Sequence, residues 1–127
     1  MFHVIKRRIA DVEPTLYKTP KSGETFTLGE ALVEAEGVLS AAAATAMPDY
    51  ICAGPKTAAG MLPVIPVLPT TVFATESSVA VAANLVGAKV TMTADALGVT
   101  ATTTGGVFQV ESTDGAAKSA VTGRFAG

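Results

Sequence analysis

The chain has 127 residues, 49% of them apolar and 16% charged, with a net charge of −2. That length makes one domain. The apolar content excludes a disordered chain, and the slight negative charge excludes the basic footprint of a nucleic-acid binder.

Typical soluble domains are about 25% charged. The deficit here implies that part of the surface is covered by a partner. Cys52 and His3 are the single cysteine and the single histidine. An intrachain disulfide is therefore impossible, and so is a metal site needing two soft ligands from one chain. The start, Met1 to Arg8, places basic residues after apolar ones, the reverse of a signal peptide. No apolar run approaches the about 20 residues of a membrane helix. The reading is a soluble chain made in the cytoplasm, with no nucleic-acid or membrane partner.

Residues 1–21 read as an N-terminal strand or arm. They carry five basic residues against two acidic ones, net +3. Residues 22–53 carry five acidic residues and no basic one. Such asymmetry suits head-to-tail packing between subunits or docking on a charged surface, although ordinary solvated charge explains it as well.

Residues 27–46 carry two conflicting signals. Thr27 with Glu30 fits a capping box, and Leu28, Ala31, Leu32, Ala35, Val38, Leu39 and Ala42 recur at helical spacing. The competing reading is a hairpin, Glu30 to Ala35 out and Val38 to Ala41 back, turning at Glu36-Gly37. Downstream, prolines 48, 55, 63, 66 and 69 punctuate the chain. Proline cannot donate to a ladder, so Met61 to Pro69 reads as an extended edge ribbon. Thr71 to Thr75 reads as a strand.

The C-terminal half alternates polar and apolar residues at 89–93, 106–112 and 120–125, with a β-branched stretch at 99–104. These read as strands, with tight turns at Gly105-Gly106 and a type I′ turn at Asp114-Gly115. Leu28 to Leu32 faintly echoes Val86 to Val90, followed by Tyr50-Ile51-Cys52 and Phe108-Gln109-Val110 respectively. Two related hairpin-plus-strand units would explain the echo.

No group of residues assembles recognisable chemistry. His3 lacks a nucleophile partner. Cys52 sits in an apolar run, where a free thiol is usually a small core residue. Glu30, Glu34 and Glu36 on one short element read as a solvated face rather than an acid–base pair. The glycines match no phosphate loop. No catalytic, metal or cofactor residue is assigned, and the expectation is a non-enzymatic binding or structural module.

The order of segments resembles the small head decoration (cement) proteins of tailed bacteriophages and prophages. Phe2 to Tyr17 is followed by Phe26 to Val33, Gly37-Val38-Leu39 and Pro48 to Cys52. Leu62 to Val67 and Val72 to Thr75 come next, then Val86 to Val90, Val99 to Thr102, Gly106 to Val110 and Val121 to Phe125. The resemblance rests on order and spacing across nearly the whole chain. It implies an all-β fold, a compact, partly open β-barrel of the β-tulip or β-clip kind. Little helix is expected, with an extended arm (1–21) preceding one barrel domain (22–127). It decides residues 28–46 in favour of the hairpin, with a helical turn possible at Ala41 to Ala44.

The family also implies a homo-oligomer, commonly a trimer, on the capsid exterior of the virion. There it binds the major capsid protein and bridges capsomers. It places the capsid or subunit contact on the arm, which here is Phe2, His3, Val4, Ile5, Lys6, Arg7 and Arg8. Removing that arm is then expected to weaken binding and spare the fold. The alternative is another phage structural component (tail or baseplate), or a small β-rich ligand-binding module.

Overall fold

A computed structural model describes residues 1–7 and 16–126. In chain order it has β1 (His3–Arg7), β2 (Leu16–Lys18), β3 (Ala31–Ala35), β4 (Val38–Ala41), β5 (Tyr50–Cys52), β6 (Leu62–Pro66) and β7 (Thr71–Glu76). After a single 3-10 turn (Ala83–Leu85) come β8 (Lys89–Val90), β9 (Phe108–Thr113) and β10 (Ala120–Phe125). The fold is all-β. Two antiparallel sheets run β1-β7-β10-β9-β8 and β2-β6-β5-β3-β4.

The second sheet curls without closing into a barrel. Its outer strands share no ladder, but Leu39 in β4 ties them. The Leu39 N–H donates to the Thr19 carbonyl (2.9 Å), and the Lys21 N–H donates to the Leu39 carbonyl (2.8 Å). Inside the curl sits a small core of Leu32, Leu39, Cys52, Leu62 and Val64. A larger core joins the two sheets. Phe73, Phe108, Val110, Val121 and Phe125 meet Ala31 and Ile51 there. The rings of Phe2, Phe73, Phe108 and Phe125 pack tilted or edge-on, with centroids 5.0–5.6 Å apart, a favourable geometry for aromatic quadrupoles.

Residues 30–41 form the hairpin. Ala35 pairs with Val38, so the loop is the two residues Glu36 (φ 53°) and Gly37 (φ 80°). Positive φ at both central residues is the type I′ signature. The helical spacing misleads because β3 is buried on both faces: Ala31 packs into the larger core and Leu32 into the smaller.

Three local expectations are corrected. Met61 to Pro69 is not an edge: β6 lies between β2 and β5. Each of its two prolines removes one donor, and Pro66 lies beyond the reach of β2, which pairs only with Leu62 to Val64. Asp114-Gly115 is not a two-residue turn. The connection runs over 114–119, because Asp114 Oδ1 accepts from the Ala116 and Ala120 N–H groups. Residues 99–104 form no strand of their own, and Val99 makes only isolated bridges to Ser77 and Met92.

The N-terminal segment splits between the sheets as edge strands. β1 pairs with β7 and is bulged between Val4 and Lys6; β2 pairs with β6. Phe2 is 1% exposed and belongs to the larger core. The start of the chain is therefore structural, and removing it costs stability.

The faint echo is a repeated topology. β2-β6-β5-β3 and β7-β10-β9-β8 have the same strand order and, apart from β4 inserted between β3 and β5, the same connectivity. Ala31 pairs with Ile51 as Lys89 pairs with Gln109; Leu32 pairs with Tyr50 as Val90 pairs with Phe108. The turn before each inner strand matches as well. The Glu30 N–H donates to the Thr27 carbonyl as Ala88 does to Leu85. The Gly29 N–H donates to the Cys52 carbonyl as Gly87 does to Val110. Gly29 (φ 82°) and Gly87 (φ 90°) both occupy the left-handed region, which glycine enters without steric cost.

Candidate interaction surface

The expected contact residues divide according to the β1 pleat. Phe2 is a core residue, and its ring is not available to a partner. His3 is exposed, Val4 packs against the larger core, and Ile5 at the bulge is 52% exposed. Lys6 and Arg7 continue the strand, with side chains outside the description; Arg8 lies outside the described residues. His3 and Ile5 are thus the contact candidates whose side chains the strand turns outward.

A second surface was not foreseen. An open groove of about 650 Å³ lies where the β3, β5 and β6 ends meet the chain after β10. Met47, Pro48, Tyr50, Leu68 and Pro69 give it apolar walls, and Glu34 and Asp49 supply carboxylates. Asp49 Oδ2 accepts the Glu34 N–H (2.9 Å). Lys18 Nζ lies 3.6 Å from Glu34 Oε2 and 5.3 Å from the Tyr50 ring centre. The Tyr50 hydroxyl first, and then the Glu34 carboxylate, raise the Lys18 pKa. This surface combines residues distant in sequence, so no local pattern announces it.

The three glutamates separate. Glu34 is held by Lys18, and Glu36 occupies the hairpin turn. Glu30 is buried, at 6% exposure. Its Oε1 accepts the Thr27 N–H (3.2 Å), while its Oε2 has no hydrogen-bond partner. Burial, and then the Glu24 and Asp95 carboxylates, raise its pKa against the opposing Thr27 bond. Cys52 is a buried free thiol. Its Sγ donates to the Gly54 carbonyl (3.2 Å), and burial raises its pKa, away from the thiolate form that reacts.

Among the described residues, no three His, Cys, Asp or Glu side chains converge as a metal site. No helix among them is long and apolar enough to cross a membrane. Comparison with protein-family models, curated proteins and solved structures finds no match.

Proposed function

We propose that this chain is a non-enzymatic decoration (cement) protein. It binds the outer surface of a tailed-phage or prophage head as a homo-oligomer, of the trimeric kind, and bridges subunits of the major capsid protein. The observation that best supports this reading is the construction of β1. An outermost strand is anchored by Phe2 in the core and turns His3 and Ile5 outward. Such a strand presents apolar surface and backbone at a fixed position, which suits strand-mediated contact with another chain. Adding buried interface between capsomers would let the shell resist the pressure of packaged DNA. The protein would be made in the bacterial cytoplasm and end on the capsid exterior.

The test is co-sedimentation with capsids assembled from the major capsid protein of the same genome, beside light scattering of the free protein. An oligomer that co-sediments is expected. Ile5→Glu should lower binding at least about tenfold, equal to about 1.4 kcal/mol of contact, with unchanged thermal stability. A monomer with no capsid binding would overturn the proposal.

The open groove favours a second reading, a small β-rich binding module. Immuno-electron microscopy of virions distinguishes head, tail and absence from the particle.

A further inference from the structure

The turns before the inner strands of the two units differ in the residue that closes them. In the second unit the turn before β8 closes with Ala88, using the Leu85 carbonyl alone. In the first unit the equivalent residue is Glu30, which brings a buried carboxyl to a turn that does not need one. The surroundings differ too. The Gly87 carbonyl accepts from the Gln109 side chain (3.3 Å), whereas the Gly29 carbonyl accepts the Phe2 N–H (3.0 Å). A Cβ on Gly87 would meet nothing within 4 Å; one on Gly29 would lie 2.3 Å from Met1 Cβ. The start of the chain is thus seated on the turn that carries Glu30.

We propose that the Glu30 carboxyl is a proton-operated clasp on the N-terminal strand. Neutral, it lets the 27–30 turn close against Met1 and Phe2; ionised, it loosens that junction ahead of the rest of the fold.

The geometry carries this. Oε2 is buried without a partner, so a charge there is uncompensated, while a neutral carboxyl costs far less. The titratable groups facing Glu30 are Glu24 from the preceding loop, Asp95 from the 95–96 turn and Cys52 from β5. None offers positive charge, and the Met1 α-ammonium acts on Asp95. Asp95 is held ionised by the Thr93 hydroxyl (2.5 Å) and the Leu97 N–H (3.1 Å). Glu24 Oε2 accepts the Ala41 N–H (2.9 Å). The turn is also a junction between sheets. Beyond the Phe2 bond, the Gly29 N–H reaches the Cys52 carbonyl and the Ala31 N–H reaches the Ala96 carbonyl (2.8 Å each). Strain there falls on the Phe2 N–H bond to the Gly29 carbonyl, the contact through which this turn holds the first strand. The inference is independent of any capsid.

The experiment is NMR on the full chain, following the Glu30 carboxyl carbon with pH beside amide exchange at Phe2 and Val110. The Val110 N–H donates to the Ala88 carbonyl and reports the equivalent turn of the other unit. In the wild type, Phe2 protection should fall through the Glu30 titration, by up to about tenfold per pH unit for one linked proton, with Val110 unchanged. Glu30→Gln and Glu30→Ala should show no such fall; alanine is what the second unit already uses. Asp95→Asn should move both midpoints to lower pH. Phe2 protection that is flat through the titration, that falls equally in Glu30→Gln, or that falls together with Val110 would overturn the proposal.

Discussion

Replacing Phe2 with alanine tests whether the first strand belongs to the core or hangs from it. Its ring is 1% exposed and lies 5.6 Å from the Phe108 ring and 5.0 Å from the Phe125 ring. Truncating a fully buried phenylalanine removes its transfer free energy and leaves a cavity, costing about 3–5 kcal/mol. That is a large share of the about 5–15 kcal/mol that holds a domain. With about 2.1 cal/mol/K of unfolding entropy per residue, a loss near 4 kcal/mol lowers Tm by about 15 °C.

The control is Ile5→Ala, three residues further along in β1 and 52% exposed, expected within about 0.5 kcal/mol of wild type. Denaturant unfolding followed by far-UV circular dichroism measures both. A Phe2→Ala loss below about 1 kcal/mol, the ordinary cost of an unremarkable substitution, would refute the reasoning. So would a loss equal to that of Ile5→Ala. Removing residues 1–7 should cost more than Phe2→Ala, because the β1–β7 pairing goes with the ring.

Two further outcomes follow from local geometry. At the β3–β4 turn, Glu36→Asn should stabilise by several tenths of a kcal/mol, because asparagine enters the left-handed region at lower cost. Gly37→Ala should destabilise by about 1–2 kcal/mol from backbone strain alone, since no atom lies within 4 Å of the added Cβ; thermal melts rank the three. The pH dependence of stability carries a Glu30 component of definite sign. Its folded pKa lies above the ordinary 4.5, so between these values the native state holds a proton that the unfolded chain has lost. Stability therefore falls as pH rises through that window, by at most about 1.4 kcal/mol per pH unit. Denaturant midpoints across that window should show the slope in wild type and lose it in Glu30→Gln.

The legible strands are those buried on one face. β9 and β10 alternate Phe108, Val110 and Val121, Gly123, Phe125 inward against polar neighbours outward, and period two is visible in the residues themselves. β3 is ambiguous in sequence because consecutive residues serve different cores, as they also do in β5. Ala31 and Ile51 face the larger core, while Leu32 and Cys52 face the smaller. Nothing local tells a two-sided strand from a helix of apolar residues. The prolines of β6 mislead for a related reason: what matters is how far the neighbouring strands extend past them, and that depends on pairing.

The surface candidates divide the same way. Alternation through Phe2, His3, Val4 and Ile5 is readable, but which set faces inward depends on β7, about seventy residues away. Glu30 looked like one of three solvated glutamates. Its turn is flanked by Phe2, bonded to the Gly29 carbonyl, and by Ala96, bonded to the Ala31 N–H, and neither is near it in sequence.

The repeated turn supplies a control of its own for where the N-terminus sits. Gly29 and Gly87 occupy equivalent positions with nearly the same φ, so alanine at either pays the same left-handed penalty, about 1–2 kcal/mol. Only at Gly29 does the new Cβ also strike the Met1 side chain, at 2.3 Å. Met1 is 48% exposed, so it can yield by shifting outward, drawing Phe2 from the Gly29 carbonyl as it goes. The difference between the two variants thus isolates the seating of the N-terminus from the strain of the turn. Gly29→Ala is expected to lose more stability than Gly87→Ala and to raise Phe2 amide exchange, which Gly87→Ala leaves alone. Equal losses with unchanged exchange would mean that the chain start does not rest on this turn in solution.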